Sequence, residues 1–209
     1  MTRLLRTTAS PAAIPAKLLA AAVLALGLLA GCSPKAADTA TAAGAPAAGK
    51  PADPMAAIAA QGKGFTAGAM MSANTVYVLF DAQCPHCSQL WAASQPLQGK
   101  AKFVWVPVSL LNGRSTTQGA ALLQAANPIE LMQAHEKSII AGNGGLVPTA
   151  AITPELEQTM KSNTALFNSL GVDSVPYIVA KNAQTGQVVT KNGALSTPAL
   201  AEFLGLAAQ

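Results

Sequence analysis

Short, nearly unbroken apolar runs set apart by turn residues mark the second half of the chain. Thr75 to Phe80 (TVYVLF) is β-branched and aromatic with almost no polar position, which predicts a buried strand. Lys102 to Val108 (KFVWVPV) repeats the pattern, and Pro107 predicts an end or edge position. Pro176 to Ala180 (PYIVA) and Gln187 to Thr190 (QVVT) predict two more strands, joined by a loop holding Asn182 and Gly186. Cys84 to Gln95 reads as a helix: Pro85 stands in its first turn, where the missing N–H is not needed, and Pro96 ends it. Helical stretches follow near 115–126, 129–141 and 154–170, with Pro128 and Pro154 opening the last two and Gly171 as a C-cap. Ser196 caps a final helix over 197–206. Residues 55–72 carry a weak pattern, a short helix and then a turn around Gly62 and Gly64.

The order is strand–helix–strand, a helical block, then strand–strand–helix. A strand–helix–strand crossover implies parallel pairing, while the short connection of the last two strands implies antiparallel pairing. The expectation is an α/β fold whose mixed sheet is flanked by helices, with a helical insert between its two halves.

The first 31 residues have another pattern. Arg3, Arg6 and Lys17 form a basic start, and Leu18 to Leu29 an apolar run of 12 residues. That run is short against the ~20 residues of a membrane span and reads as a secretory signal. It ends in Leu29-Ala30-Gly31-Cys32, which looks like the lipobox of bacterial lipoproteins and implies lipidation of Cys32 after cleavage. Ser33 beside it implies the outer membrane. Residues 33–54 are rich in Ala, Pro, Gly and Thr and hold too little apolar surface to order, so 32–54 is read as a lipidated tether. Its reach is roughly 25 Å. Residues 55–209 are left as the folded domain.

Charge adds little. The net charge is +4, but three of the thirteen basic residues precede Cys32. The remainder is nearly balanced, so no nucleic-acid partner is inferred.

Phe80-Asp81-Ala82-Gln83-Cys84-Pro85-His86-Cys87 carries the chemistry. It places C-x-x-C where a buried strand meets a helix. Cys84 falls at the helix N-terminus, where unpaired N–H groups favour a thiolate. Cys87 lies one turn on, so the two sulfurs share a face and can bond. His86 adds a donor or a positive charge. These effects lower a thiol from ~8.5 into a range of ~3.5–7.5. A stabilised thiolate makes the disulfide form the stronger oxidant. Cys84 is expected to be the exposed nucleophile and Cys87 the buried resolving thiol. A structural crosslink between residues so close closes too small a loop to stabilise much.

VYVLFDAQCPHCSQLW together with Val175-Pro176-Tyr177 resembles the catalytic domain of the DsbC/DsbG family of periplasmic disulfide isomerases, over about residues 60–206. The resemblance implies a thioredoxin-like fold with a helical insert. It also implies a cis-proline at Pro176, which with Val175 meets the substrate opposite Cys84, and a Cys84–Cys87 redox disulfide. Exported cysteine-containing proteins are the implied substrates, a membrane redox partner the implied electron route, and no cofactor or metal is required. Two features depart from the family. The Pro85-His86 dipeptide and Val175 in place of Thr are closer to the oxidase DsbA. Residues 33–74 leave no room for the family's dimerisation domain, so a monomer is expected.

Other residues have plainer readings. Trp91 is expected to pack under its helix, Met70 and Met71 to pack locally, and His135, beside Glu136 and Lys137, to be a solvated surface residue. Asp81 is either a strand-end turn residue or a proton relay to Cys87. Zinc wants four ligands, and with Cys32 committed to lipid only His135 would remain to join the motif. Haem attachment would need His where Ser88 stands. The reading from another class is a Cu(I) metallochaperone, for which the thiol pair is soft enough.

Overall fold

The computed structural model describes residues 49–206. The signal segment, Cys32 and most of the tether lie outside them. In chain order the elements are α1 (Pro54–Gln61), β1 (Phe65–Gly68), β2 (Thr75–Asp81), α2 (Pro85–Ser94), β3 (Lys102–Val108), α3 (Gly113–Gln124), α4 (Pro128–Ile140), α5 (Pro154–Ser169), β4 (Tyr177–Lys181), β5 (Val188–Asn192) and α6 (Thr197–Phe203). A short 3₁₀ turn, Gln95–Leu97, closes α2 at Pro96.

Five strands form one mixed sheet in the order β1-β3-β2-β4-β5. β2 and β3 are parallel, joined by the α2 crossover, and β4 and β5 run antiparallel. β2 is central: Val78 faces Trp105 on one side and Ile178 on the other. Alternation along β2 therefore feeds two cores. Val76, Val78 and Phe80 join Phe103, Trp105 and Ile178 under α2, α4 and α6. Leu79 joins Val106, Val179, Leu166 and Phe167 against α1 and α5. Trp91 on α2 lies edge-on to Trp105, with centroids 5.1 Å apart, and Trp105 meets Phe80 in the same way at 5.5 Å. Each such pair is worth about 0.5–1.5 kcal/mol beyond area burial. They lock α2 to the sheet.

The strand β1 was not expected from the sequence. It has four residues, and only Phe65 and Ala67 turn inward, too short a run for alternation to register. What makes it possible is Gly64: a Cβ there would lie 2.3 Å from the Trp105 carbonyl oxygen, so no other residue lets the chain approach β3 so closely. β1 covers the flank of β3, which is thus an inner strand. Pro107 sits one residue from its end, beyond the last β1 partner, Trp105. The buried Asn163 of α5 finishes that flank, donating to the carbonyls of Lys63 (2.8 Å) and Pro107 (2.9 Å). Met70 and Met71 are corrected: Met71 is 97 % exposed and neither packs locally, because the turn after β1 carries them away from the sheet.

Candidate redox site

The end of β2 is held by the helical insert, one residue at a time. Asp81 is buried and accepts four hydrogen bonds. Oδ1 takes them from the Gln83 amide (2.8 Å) and the Ser115 hydroxyl (2.7 Å), Oδ2 from the amides of Leu110 (2.7 Å) and Leu111 (3.0 Å). With every lone-pair direction used, Asp81 organises the turn and has no free oxygen with which to relay a proton. Ala82 is held through its carbonyl by His135 Nε2 at 2.6 Å. Gln83 donates to Gln118 and, at 3.0 Å, to the Gly144 carbonyl.

His135 is therefore not a surface residue; it is fully buried. The Leu146 amide donates to its Nδ1 at 3.0 Å, so Nε2 carries the proton given to Ala82, and burial holds the ring below its ordinary pKa. The fit is tight. Gly145 has φ +85, and a Cβ there would lie 2.5 Å from His135 Cε1. The sequence did hold a sign of this. Ile129, Met132 and Ile139 trace an apolar face at helical spacing along α4, and His135 and Glu136 stand on it.

Beyond this clamp, Cys84 is the N-cap of α2, with extended backbone and no side-chain cap. Its carbonyl accepts from the amides of Cys87 (3.0 Å) and Ser88 (3.3 Å), so its sulfur is left at the open end of the helix. Both cysteines are free thiols. Cys87 is fully buried, and Cys84 is only 5 % exposed, more enclosed than a nucleophile was expected to be. It reaches solvent through a cleft of about 560 Å³ lined by Cys84, His86, Leu110, Leu111, Phe167 and Val175, among others. Pro85 and His86 are exposed on its rim. Leu110 and Leu111, which Asp81 holds in place, are apolar yet exposed. On the opposite wall the Val175–Pro176 peptide is cis, and the Val175 carbonyl lies 3.6 Å from Cys84 Sγ.

The electrostatics separate the two sulfurs. The Cys87 thiol donates a hydrogen bond to the Cys84 sulfur, and this is the largest influence lowering Cys84 from 9.0 to about 6. Burial opposes it, while the backbone amides of Cys87 and His86 and the His86 charge assist. Three pH units correspond to about 4 kcal/mol in favour of the thiolate. Burial and the neighbouring Cys84 charge push the Cys87 thiol well above 9.0. One sulfur is thus ionised near neutral pH and its partner protonated. Helix N-terminus and His86 were legible in the sequence; the thiol-to-thiolate hydrogen bond was not, because it depends on how the first turn of α2 aims both sulfurs. Among the described residues no group of three or more His, Cys, Asp or Glu side chains gathers as a metal site.

No family model matches the chain. It is 30 % identical over 134 residues to the thiol:disulfide interchange protein DsbG of Pseudomonas aeruginosa, covering 63 % of this chain and 51 % of that protein. Over that stretch the chain is similar to DsbG. It spans about half the length of the curated relatives it matches. Among solved structures, the catalytic domain of Proteus mirabilis ScsC superposes with a TM-score of 0.57 at 15 % identity, covering 72 % of this chain and 96 % of that one. A thioredoxin-like oxidoreductase from Silicibacter pomeroyi gives a TM-score of 0.55 at 20 % identity, covering 71 % and 94 %. These likenesses show a thioredoxin-like fold.

Proposed function

We propose that this chain is a thiol–disulfide oxidoreductase of the cell envelope that exchanges disulfides with exported cysteine-containing proteins through Cys84 and Cys87. The observation that carries this reading is the division of labour between the sulfurs: a stabilised thiolate opening on a cleft, and a buried thiol one turn behind it. In the oxidising direction, a substrate thiolate attacks the Cys84 sulfur of the Cys84–Cys87 disulfide, forming a mixed disulfide and releasing the Cys87 thiolate, which takes a proton. A second substrate thiolate then attacks the substrate sulfur of that mixed disulfide and expels Cys84 as a thiolate. Two electrons pass from substrate to enzyme, and a membrane redox partner of disulfide type takes them on. Because Cys84 is a good leaving group, release from it is fast and the oxidised enzyme is a competent oxidant.

The cleft supports a polypeptide substrate. Leu110, Leu111, Phe167 and Val175 offer apolar contact, and the cis Val175–Pro176 segment offers a backbone edge beside Cys84. His86 and Pro85 form the rim on the helix side. In this reading residues 1–31 direct export, Cys32 carries the lipid at the outer membrane, and the domain works as a monomer on the tether of residues 33–54.

The test is a redox titration of Cys84/Cys87 against glutathione, with a trapping experiment in cells. A potential well above about −270 mV, the thioredoxin value, is expected. Cys87→Ala is expected to accumulate mixed disulfides with exported proteins through Cys84. A reducing potential and no trapped adducts would overturn the reading.

A further inference from the structure

Glu136 takes no part in the exchange steps above, yet it is buried directly behind the redox helix. The residue is 2 % exposed. Its Oε2 accepts from the hydroxyl of Ser88, the residue after Cys87. Its Oε1 is buried with no hydrogen-bond partner in the protein. An ionised carboxylate in that position is strongly disfavoured by burial without a partner. Glu136 also lines a second cleft, about 180 Å³, with Ser88, Trp91, Gln133, Lys137 and Ile140. Lys137 and Ile140 are exposed, so this cleft opens to solvent. It has room for several water molecules at about 30 Å³ each. It shares no lining residue with the cleft at Cys84.

The acid and the sulfurs feel one another. Burial pushes the Glu136 carboxyl up to about 8; the Ser88 hydrogen bond opposes this, and negative charge on Cys84 adds to it. Glu136 in turn raises Cys87. Against α4 pack α2, which brings Cys84, His86 and Cys87, α3, which brings Arg114, and β1, which brings no titratable group. On α4 itself stand Glu130, His135 and Lys137. The Arg114 guanidinium lies near Gly144, and His135 is committed to Ala82 and Leu146.

We propose that Glu136 carries a redox-linked proton, taken from solvent through the cleft beside Ile140 when the Cys84–Cys87 disulfide is reduced and returned when the disulfide forms. This rests on the redox reading of the two cysteines. Reduction by an external dithiol breaks the Cys84–Cys87 bond and delivers two electrons, and the dithiol leaves as a disulfide with its protons given to solvent. Cys87 takes one proton and Cys84 remains a thiolate. Glu136 takes a second. At a pH where Glu136 is ionised in the oxidised form, the buried site then holds one negative charge in either state, on Glu136 when oxidised and on Cys84 when reduced. Holding both charges at once in a region of low dielectric is what the proton avoids. Glu136 is a positioning residue for charge, acting on the sulfurs through the field.

The test is the midpoint potential of the full chain in glutathione buffers as a function of pH. Each proton taken up per two electrons contributes about 30 mV per pH unit. Below about 6, where Cys84 protonates, wild type and Glu136→Gln are expected to share a slope of two protons. Above it the variant stays at one proton, while wild type shows a second over a window that opens where Glu136 titrates in the oxidised form and ends near 8, where it titrates beside the Cys84 thiolate. Ser88→Ala, which keeps the acid and removes its hydrogen bond, moves the upper break to higher pH. Infrared difference spectra should show a protonated-carboxyl band appearing on reduction in wild type and missing in Glu136→Gln. Coincident slopes, or no such band, would overturn the proposal. A wild-type chain with no reversible couple would instead refute the redox reading beneath it.

Discussion

Replacing Cys87 by Ala removes the S–H group that contributes most to the ionisation of Cys84. The thiolate at Cys84 stands at about 6, and the hydrogen bond from Cys87 leads the lowering influences. A hydrogen bond to a charged group is worth about 1.5–3 kcal/mol. Divided by 1.36 kcal/mol per unit, its loss should raise Cys84 by about 1–2 pH units. The variant is then expected to titrate at about 7–8, still below 9.0, because the amides of Cys87 and His86 remain at the helix tip. His86→Ala removes the last-ranked influence and should shift Cys84 by less. The measurement is the pH dependence of alkylation at Cys84, read alongside thiolate ultraviolet absorbance. A Cys87→Ala variant that still titrates at the wild-type value would refute the argument and return the whole effect to the helix and His86.

Further outcomes follow from the clamp and the buried acid. Asp81→Ala removes four hydrogen bonds to one buried carboxylate and should destabilise the fold by about 3–5 kcal/mol in urea unfolding. Gly145→Ala meets a left-handed backbone and the His135 ring together, so a loss of at least about 1–3 kcal/mol is expected, with faster amide exchange around Ala82. Glu136 is raised from 4.5 to about 8, so the native state loses stability as pH rises between those values. Glu136→Gln should therefore be the more stable protein at pH 7, by about 3 kcal/mol, with the advantage gone below 4.5. Cys84 is lowered, so the reduced form should gain stability over the oxidised form as pH rises from about 6 to 9.0, and lose it as pH falls back through 6. Paired thermal melts of the two redox forms across that range would show it.

What could be read along the chain is what depends on near neighbours. The run Thr75 to Phe80 is a strand because its six residues, all but Leu79 β-branched or aromatic, pack best on a pleated, buried surface. The Pro85 signal places the helix start, and the helix start places Cys84. Pairing direction followed from connection lengths alone, since a crossover and a short turn each allow one direction. Misreadings occurred where a residue's surroundings come from distant segments. His135 stands between charged and polar neighbours in sequence, yet Ala82 and Leu146 close on it from other elements. Asp81 had two readings until four donors, from the turn after β2, from α3 and from the loop before α3, converged on one carboxylate.

Local pattern, then, determined the strands, the helix on which the cysteines sit and the spacing of their sulfurs, because hydrophobic periodicity, proline geometry and helix pitch act over a few residues. The tertiary structure alone decided how far the two sulfurs are driven apart in ionisation and which acid answers them. Those are differences in charge energy, and they depend on burial and on distances between segments far apart in the chain: 91 residues separate Cys84 from the carbonyl of Val175, and 48 separate Ser88 from Glu136.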